Sequence, residues 1–201
     1  MSDLSFANRD ITKFREKLNA GGVRSNLFEV EIPGPLPGGT DVSDECRFLV
    51  KAAEIPASNI GNIPVPFRGR VLPVAGDRTF DPWTVTIIND DFKIREAMEQ
   101  WSNFINDMVL STGTVNPEDY QKIGKVKQLS RQTGLKASSV LRQYNFYGIY
   151  PNAISSIPLD YGATDQIEEF QVTFNYLYWT VGEKTEDGKS SGLAAATEAA
   201  G

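Results

Sequence analysis

IPVPFRGRVLPVAGDRTFDPWTVTIINDD, Ile63 to Asp91, is the stretch whose reading decides the fold. It opens as an extended segment in which Pro64, Pro66 and Pro73 each lack the backbone donor that a central strand needs. It passes through a Gly76-Asp77 turn. Phe80, Trp83, Val85 and Ile87 then share one face, with Thr84 and Thr86 on the other, a pattern that predicts a half-buried strand. The stretch closes on Asn89-Asp90-Asp91, where carboxylates suit the first turn of a helix. An arm bearing Arg68, Arg70 and Arg78 is thus joined to a β core, and it contains no catalytic signature.

Downstream, Ile94, Ala97, Met98, Trp101, Phe104, Ile105, Met108 and Val109 recur at helical spacing and predict a long amphipathic helix from Asp91 to about Ser111. A polar connection follows from Thr112 to Lys122. GKVKQLSRQTG (124–134) and SSVLRQYNFYGIYP (138–151) read as strands, the second ended by Pro151. In EEFQVTFNYLYWTV (168–181), Phe170, Val172, Phe174, Tyr176 and Tyr178 oppose Glu169, Gln171, Thr173 and Asn175. That predicts one strand well beyond the usual five or six residues.

Upstream, residues 8–20 predict a short helix with Ile11, Phe14 and Leu18 on a narrow stripe, stopped by Gly21-Gly22. SNLFEVEIP (25–33) alternates Phe28, Val30 and Ile32 against Glu29 and Glu31, as a strand does. Pro33 to Asp44 carries the residues of a loop, and CRFLVKAAEIP (46–56) reads as a strand ended by Pro56. GEKTEDGKSSGLAAATEAAG, after Val181, is small and polar and is expected to lack fixed structure.

No βαβ rhythm appears. The expected fold is mainly β with α: an antiparallel β-sandwich or barrel of six or seven strands, one long flanking helix, a short N-terminal helix and a protruding Pro-rich arm. The 201 residues suit one domain, 1–181, with the arm at about 53–78 and a flexible tail at 182–201.

Composition excludes much chemistry. The chain has no histidine and one cysteine, Cys46, so histidine-based triads, His-ligated metals, thiolate clusters and an intrachain disulfide are all unavailable. The net charge of −6 should repel a polyphosphate backbone. The N-terminus lacks the basic and apolar regions of a signal peptide, and no apolar run approaches bilayer length, so cytoplasmic synthesis of a soluble protein is expected. Asp81, Asp90 and Asp91 could gather around a cation, yet helix capping accounts for Asp90 and Asp91 without a metal. Glu168 and Glu169, adjacent on a strand, must point apart. The glycines of the arm match no phosphate-binding loop. Lys122–Lys136 is basic without an acid, as a nucleic-acid stripe would be, yet Lys125, Lys127 and Arg131 share one strand face, which also describes a solvated or intersubunit sheet face. No catalytic residue, cofactor or metal site is expected.

The three arm arginines bear on partners instead. A long Pro-rich arm is costly to order alone, and arginine suits bidentate pairing with partner carboxylates. SNLFEVEIPG (25–34), AEIPASNIGNIPVPFRGR (53–70), GDRTFDPWTVTIINDD (76–91), REAMEQWSNFIN (95–106), YNFYGIYPNAIS (144–155) and EEFQVTFNYLYW (168–179), in this order, resemble the tail tube proteins of contractile-tailed, T-even-like bacteriophages. Phage-derived injection machines have related tube proteins.

The resemblance implies a β-barrel-like, non-enzymatic subunit that forms hexameric rings stacked into a tube inside a contractile sheath. It implies a sheath protein, a tape measure protein, a baseplate and a tail terminator as partners, passage of genomic DNA without specific binding, and a place in the virion after assembly in the host cytoplasm. The arm becomes the ring-stacking element, with Ile63, Phe67, Arg68, Arg70, Asp77 and Arg78 as intersubunit candidates. Glu29, Glu31, Gln171, Thr173 and Asn175 become candidates for the channel wall. Two other readings use the same strands: a tube that delivers protein effectors, and a monomeric β-sandwich binding module. A catalytic β-sandwich is disfavoured by the missing histidines.

Overall fold

A computed structural model describes residues 11–18, 22–33, 41–130 and 140–182. In chain order the elements are α1 (Ile11–Lys17), β1 (Phe28–Glu31), α2 (Ser43–Leu49), β2 (Val50–Ala53), β3 (Asn59–Phe67), β4 (Arg70–Thr79), β5 (Trp83–Ile88), α3 (Lys93–Ile105), α4 (Pro117–Tyr120), β6 (Lys122–Leu129), β7 (Val140–Ile154), β8 (Glu169–Asn175) and β9 (Tyr178–Gly182).

Seven strands form one antiparallel sheet in the order β1-β6-β7-β8-β5-β2, with β9 beside β7. β7 is the hinge of this arrangement. Its first half pairs with β6 and β9, and its second half with β8. The sheet therefore divides into two ladders, β1-β6-β7-β9 and β7-β8-β5-β2, that share one long strand. Their inner faces meet. Trp83 of β5 stacks on Phe146 of β7 with ring centroids 4.5 Å apart, and Trp83 and Trp101 both lie against Phe174 of β8. The core is the set of inward alternating positions: Val30, Val126, Tyr144, Phe146, Phe170, Val172, Phe174, Trp83, Val85 and Ile87. β1 and β2, the outermost strands of the order, come into contact.

α3 covers the core with Ile94, Ala97, Met98 and Trp101, and the Trp101 indole donates to the Tyr120 carbonyl at 2.8 Å. It is shorter than its periodicity suggests. Asn106 is extended, and the Asp107 carboxylate accepts the Val109 and Leu110 N–H groups, each at 2.8 Å. Those bonds hold the Asp107 carboxyl below the usual carboxylate range. A short acidic side chain that captures local backbone donors competes with helix continuation, so Met108 and Val109 end up exposed instead of on the buried stripe. At the other end, Asp91 accepts the Lys93 N–H at 3.3 Å, while the N-cap residue is Phe92 at φ 62.

Other elements also depart from the pattern. Residues 43–49 are helical, not extended. Val42 and Cys46, four apart, are both fully buried, a spacing that a strand would send to one face and a helix also satisfies. The long C-terminal strand kinks at Tyr176-Leu177 into β8 and β9, although both halves run along the same edge of β7. Gly148, at φ +68, faces this kink, and a Cβ there would stand 2.8 Å from Leu177 Cδ1. β7 does not end at Pro151; the proline sits at a register shift and the strand continues to Ile154. α1 forms as predicted, but Ile11, Phe14 and Leu18 stay exposed and do not join the core. The segments 34–40, 131–139 and 183–201, including Arg131 and the predicted tail, lie outside the described residues.

Candidate functional site: assembly surfaces

The Pro-rich arm is a second, separate sheet. Among the described residues β3 and β4 pair only with each other, through a register that sets Ile63 opposite Val74, Val65 opposite Leu72 and Phe67 opposite Arg70. Arg68 and Gly69 form the turn with φ of 45° and 79°. Two successive left-handed residues give the turn whose twist matches a hairpin. Near the base, a bulge brings the backbones of Gly61 and Gly76 together, and a Cβ on Gly76 would lie 3.3 Å from the Gly61 carbonyl oxygen.

The prolines decide how this hairpin can make contacts. Pro64 lies opposite Pro73, and Pro66 two residues on. An antiparallel ladder tolerates such a pair where the two N–H groups would point outward rather than across. The outer edges are then stripped of donors at these positions, which opposes addition of a further strand. Contacts must therefore be made by the faces. Those faces are apolar and uncovered: Ile60, Ile63, Val65, Phe67, Val71, Leu72 and Val74 are all at least 42% exposed. A monomer gains nothing from so much solvated apolar surface, and such patches mark interaction sites.

All six arm residues singled out from sequence fall on this hairpin. Ile63, Phe67, Arg68 and Arg70 occupy the outer half, with the Arg68 guanidinium 5.3 Å above the Phe67 ring. Asp77 and Arg78 lie at the base, where Arg78 donates to the Ser58 hydroxyl at 3.0 Å and Asn59 to Asp81 at 2.5 Å.

The five channel candidates are not brought together. Glu29 and Glu31 lie on the β1-β6-β7-β9 ladder, whereas Gln171, Thr173 and Asn175 lie on β8 of the other. Glu29 and Glu31 stand opposite Lys127 and Lys125 in the β1–β6 register. Lys127 pairs with Glu31, Lys125 lies 4.0 Å from it, and Arg47 of α2 reaches Glu29 at 3.3 Å and Glu31 at 3.8 Å. This face is a neutralised zipper, with no excess of negative charge. Sequence reading placed Lys125 and Lys127 on one face; Arg47 was missed, because only the helical course of residues 43–49 turns it toward β1. On β8, Thr173 shares a 3.3 Å hydroxyl bond with Thr84, Asn175 donates to the Tyr150 hydroxyl at 3.3 Å, and Gln171 is exposed.

Reactive groups are scarce. Among the described residues no cluster of three or more Cys, Asp or Glu could hold a metal, and no helix is long and apolar enough to cross a membrane. Burial pushes the Cys46 thiol up to about 12, which leaves it a poor nucleophile at neutral pH.

Residues 11–182 match the family model described as phage tail tube protein. The chain is 33% identical to tail tube protein gp19 of Enterobacteria phage T4 over 162 residues, which covers 78% of this chain and 90% of that one. In fold it is similar to a chain of the sheath/tube terminator of an extracellular contractile injection system (TM-score 0.57, 13% identity, 80% of this chain and 96% of the other). It is also similar to a chain of the anti-feeding prophage tube-terminating cap (TM-score 0.56, 17% identity, 81% and 91%).

Proposed function

The chain belongs to the phage tail tube protein family, and from that premise we propose that it self-assembles into hexameric rings stacked as the genome channel inside a contractile sheath. It is a structural component of the virion. The observation that carries the assembly reading is the β3–β4 sheet, apolar on its faces, blocked by proline along its edges and paired with no other strand among the described residues. We assign it the ring-stacking role, through Ile63, Phe67, Arg68, Arg70, Asp77 and Arg78. Sheath, tape measure, baseplate and terminator proteins are its partners, DNA passes without specific contacts, and assembly takes place in the host cytoplasm.

Negative-stain electron microscopy of the purified chain at rising concentration tests this reading. Rings and tubes are expected. Particles that stay monomeric up to high concentration would favour a binding module instead.

The channel wall falls to the polar outer face of one of the two ladders. A neutral zipper or an amide and hydroxyl face both let a polyanion slide, whereas added cations would hold it. Gln143, opposite Lys127 on the zipper face, and Gln171, on the β8 face, can each take a lysine without breaking an ion pair. Either Gln143→Lys or Gln171→Lys is expected to slow DNA ejection from assembled tails, and the one that does identifies the wall. Unchanged ejection with both would remove these faces from the channel.

The second reading, a tube that delivers protein effectors, has the fold similarity to the two injection-system chains in its favour. Particles ending in DNA-filled heads would exclude it.

A further inference from the structure

Two short linkers join the hairpin to the body, residues 54–58 between β2 and β3 and residues 80–82 between β4 and β5. Every residue of β3 and all of β4 but Gly76 are exposed, so among the described residues no part of the body is packed over its length. Its direction therefore depends on the torsions of the linkers. Prolines remove much of that freedom. Pro56 and Pro82 have a fixed φ, and the residues before them, Ile55 and Asp81, are confined to extended backbone. Glu54, Ala57, Ser58 and Phe80 keep soft torsions.

Each of these four is held by a contact. The buried Trp83 indole donates to the Glu54 carbonyl at 2.9 Å, at the root of the first linker. Farther out, Trp179 of β9 donates to the Ala57 carbonyl at 3.2 Å, and the Ser58 hydroxyl accepts from Arg78 at 3.0 Å. In the second linker the Phe80 ring lies 5.8 Å from that of Tyr176. The Arg78–Ser58 and Asn59–Asp81 bonds tie the hairpin base to itself, which leaves its angle to the body open. Trp179 and Tyr176 tie Ala57 and Phe80 to the body. Tyr176 lies in the kink between β8 and β9 and Trp179 just beyond it. An indole has a donor and no acceptor, so Trp179 can grip only a carbonyl there; its ring is itself set edge-on to Tyr144, with centroids 5.8 Å apart.

We propose that Trp179 and Tyr176 are positioning residues, a seat at the β8–β9 kink that fixes the angle at which the hairpin leaves the body. The seat acts in the free subunit, before any partner is met. Its consequence for assembly rests on the ring-stacking reading. A hairpin presented at one angle loses little orientational freedom on docking, whereas an unseated one must be ordered at that step. Losing one neutral hydrogen bond lowers the ratio of seated to unseated hairpins about fivefold.

Double electron–electron resonance on the free subunit tests the seat. Spin labels on Arg70→Cys in the hairpin and Gln100→Cys on α3, both exposed positions, report the hairpin's direction, and Cys46 is buried. The labelled parent chain should give one narrow distance distribution. Trp179→Phe, which keeps a ring beside Tyr144 and lacks the N–H, should broaden or split it. Phe80→Leu, which leaves the body intact, should do the same; its failure to do so would remove Tyr176 from the seat. Ile87→Val trims the buried core at the far end of β5 from the linkers. It should lower the melting temperature and leave the distribution narrow. A narrow distribution in Trp179→Phe, or an equal broadening in Ile87→Val, would overturn the proposal. In unlabelled chains, Trp179→Phe should raise the concentration needed for tubes about fivefold, as read by pelleting. Tubes at an unchanged concentration despite a broadened distribution would keep the seat and reject the ring-stacking role of the hairpin instead.

Discussion

Val65→Asp with Leu72→Asp is expected to leave a folded subunit that no longer forms tubes. The two residues lie directly opposite each other on one face of the hairpin, 42% and 60% exposed. In the isolated subunit, carboxylates there meet water and cost little. No residue of the buried core lies between Val50 and Trp83, so the melting transition should move only slightly. In a stacked tube the same positions are buried against a neighbour. Burying each aliphatic side chain contributes about 1.5–3 kcal/mol, and an unpaired carboxylate in its place adds a desolvation cost of several kcal/mol. A loss of even about 3 kcal/mol at one contact weakens it more than a hundredfold, and every subunit of a ring carries the same defect. Sedimentation should show rings without tubes. Tubes of normal length would show that the hairpin has another role.

Trp83→Ala should unfold or nearly unfold the subunit. The side chain is 2% exposed and bridges the two ladders, stacked on Phe146 and tilted against Phe174 at 5.5 Å. Truncating a buried Trp to Ala costs about 3–5 kcal/mol through lost transfer energy and the cavity left behind. The Glu54 carbonyl also loses its indole donor, for roughly another 1 kcal/mol. Domains of this kind have only about 5–15 kcal/mol in total. Trp83→Phe keeps an aromatic ring over Phe146 and should lose about half as much. Chemical denaturation followed by circular dichroism reads both. A loss below about 1 kcal/mol for the alanine variant would mean that the ladders are held together elsewhere.

Much of this architecture was legible because period-two patterning survives wherever one face of a strand is buried. Trp83, Val85 and Ile87, like Phe170, Val172 and Phe174, were placed inward by alternation alone, and the structure buries all six. The α3 stripe was equally plain through Trp101. Residues 43–49 were misread since seven residues give a helix barely two turns to display its period, and Arg-Phe-Leu-Val is as β-prone as it is helical. The early stop of α3 was hidden because an Asx side chain capturing two N–H groups leaves no mark on hydrophobic spacing. The arm was recognised from its prolines, but that it pairs with itself as a hairpin depended on how Ile63 and Val74 come to face each other.

By itself the sequence determined the strand faces, the lack of any histidine and an arm that no core could absorb. All three follow from residue type and local periodicity. Tertiary structure alone decided which outer faces are neutral: Glu31 lies within reach of Lys127, Lys125 and Arg47 only because β1, β6 and α2 meet. It also decided that the Pro-rich arm closes on itself as a separate hairpin. Residues far apart in sequence acquire partners only when the chain folds and brings their elements side by side.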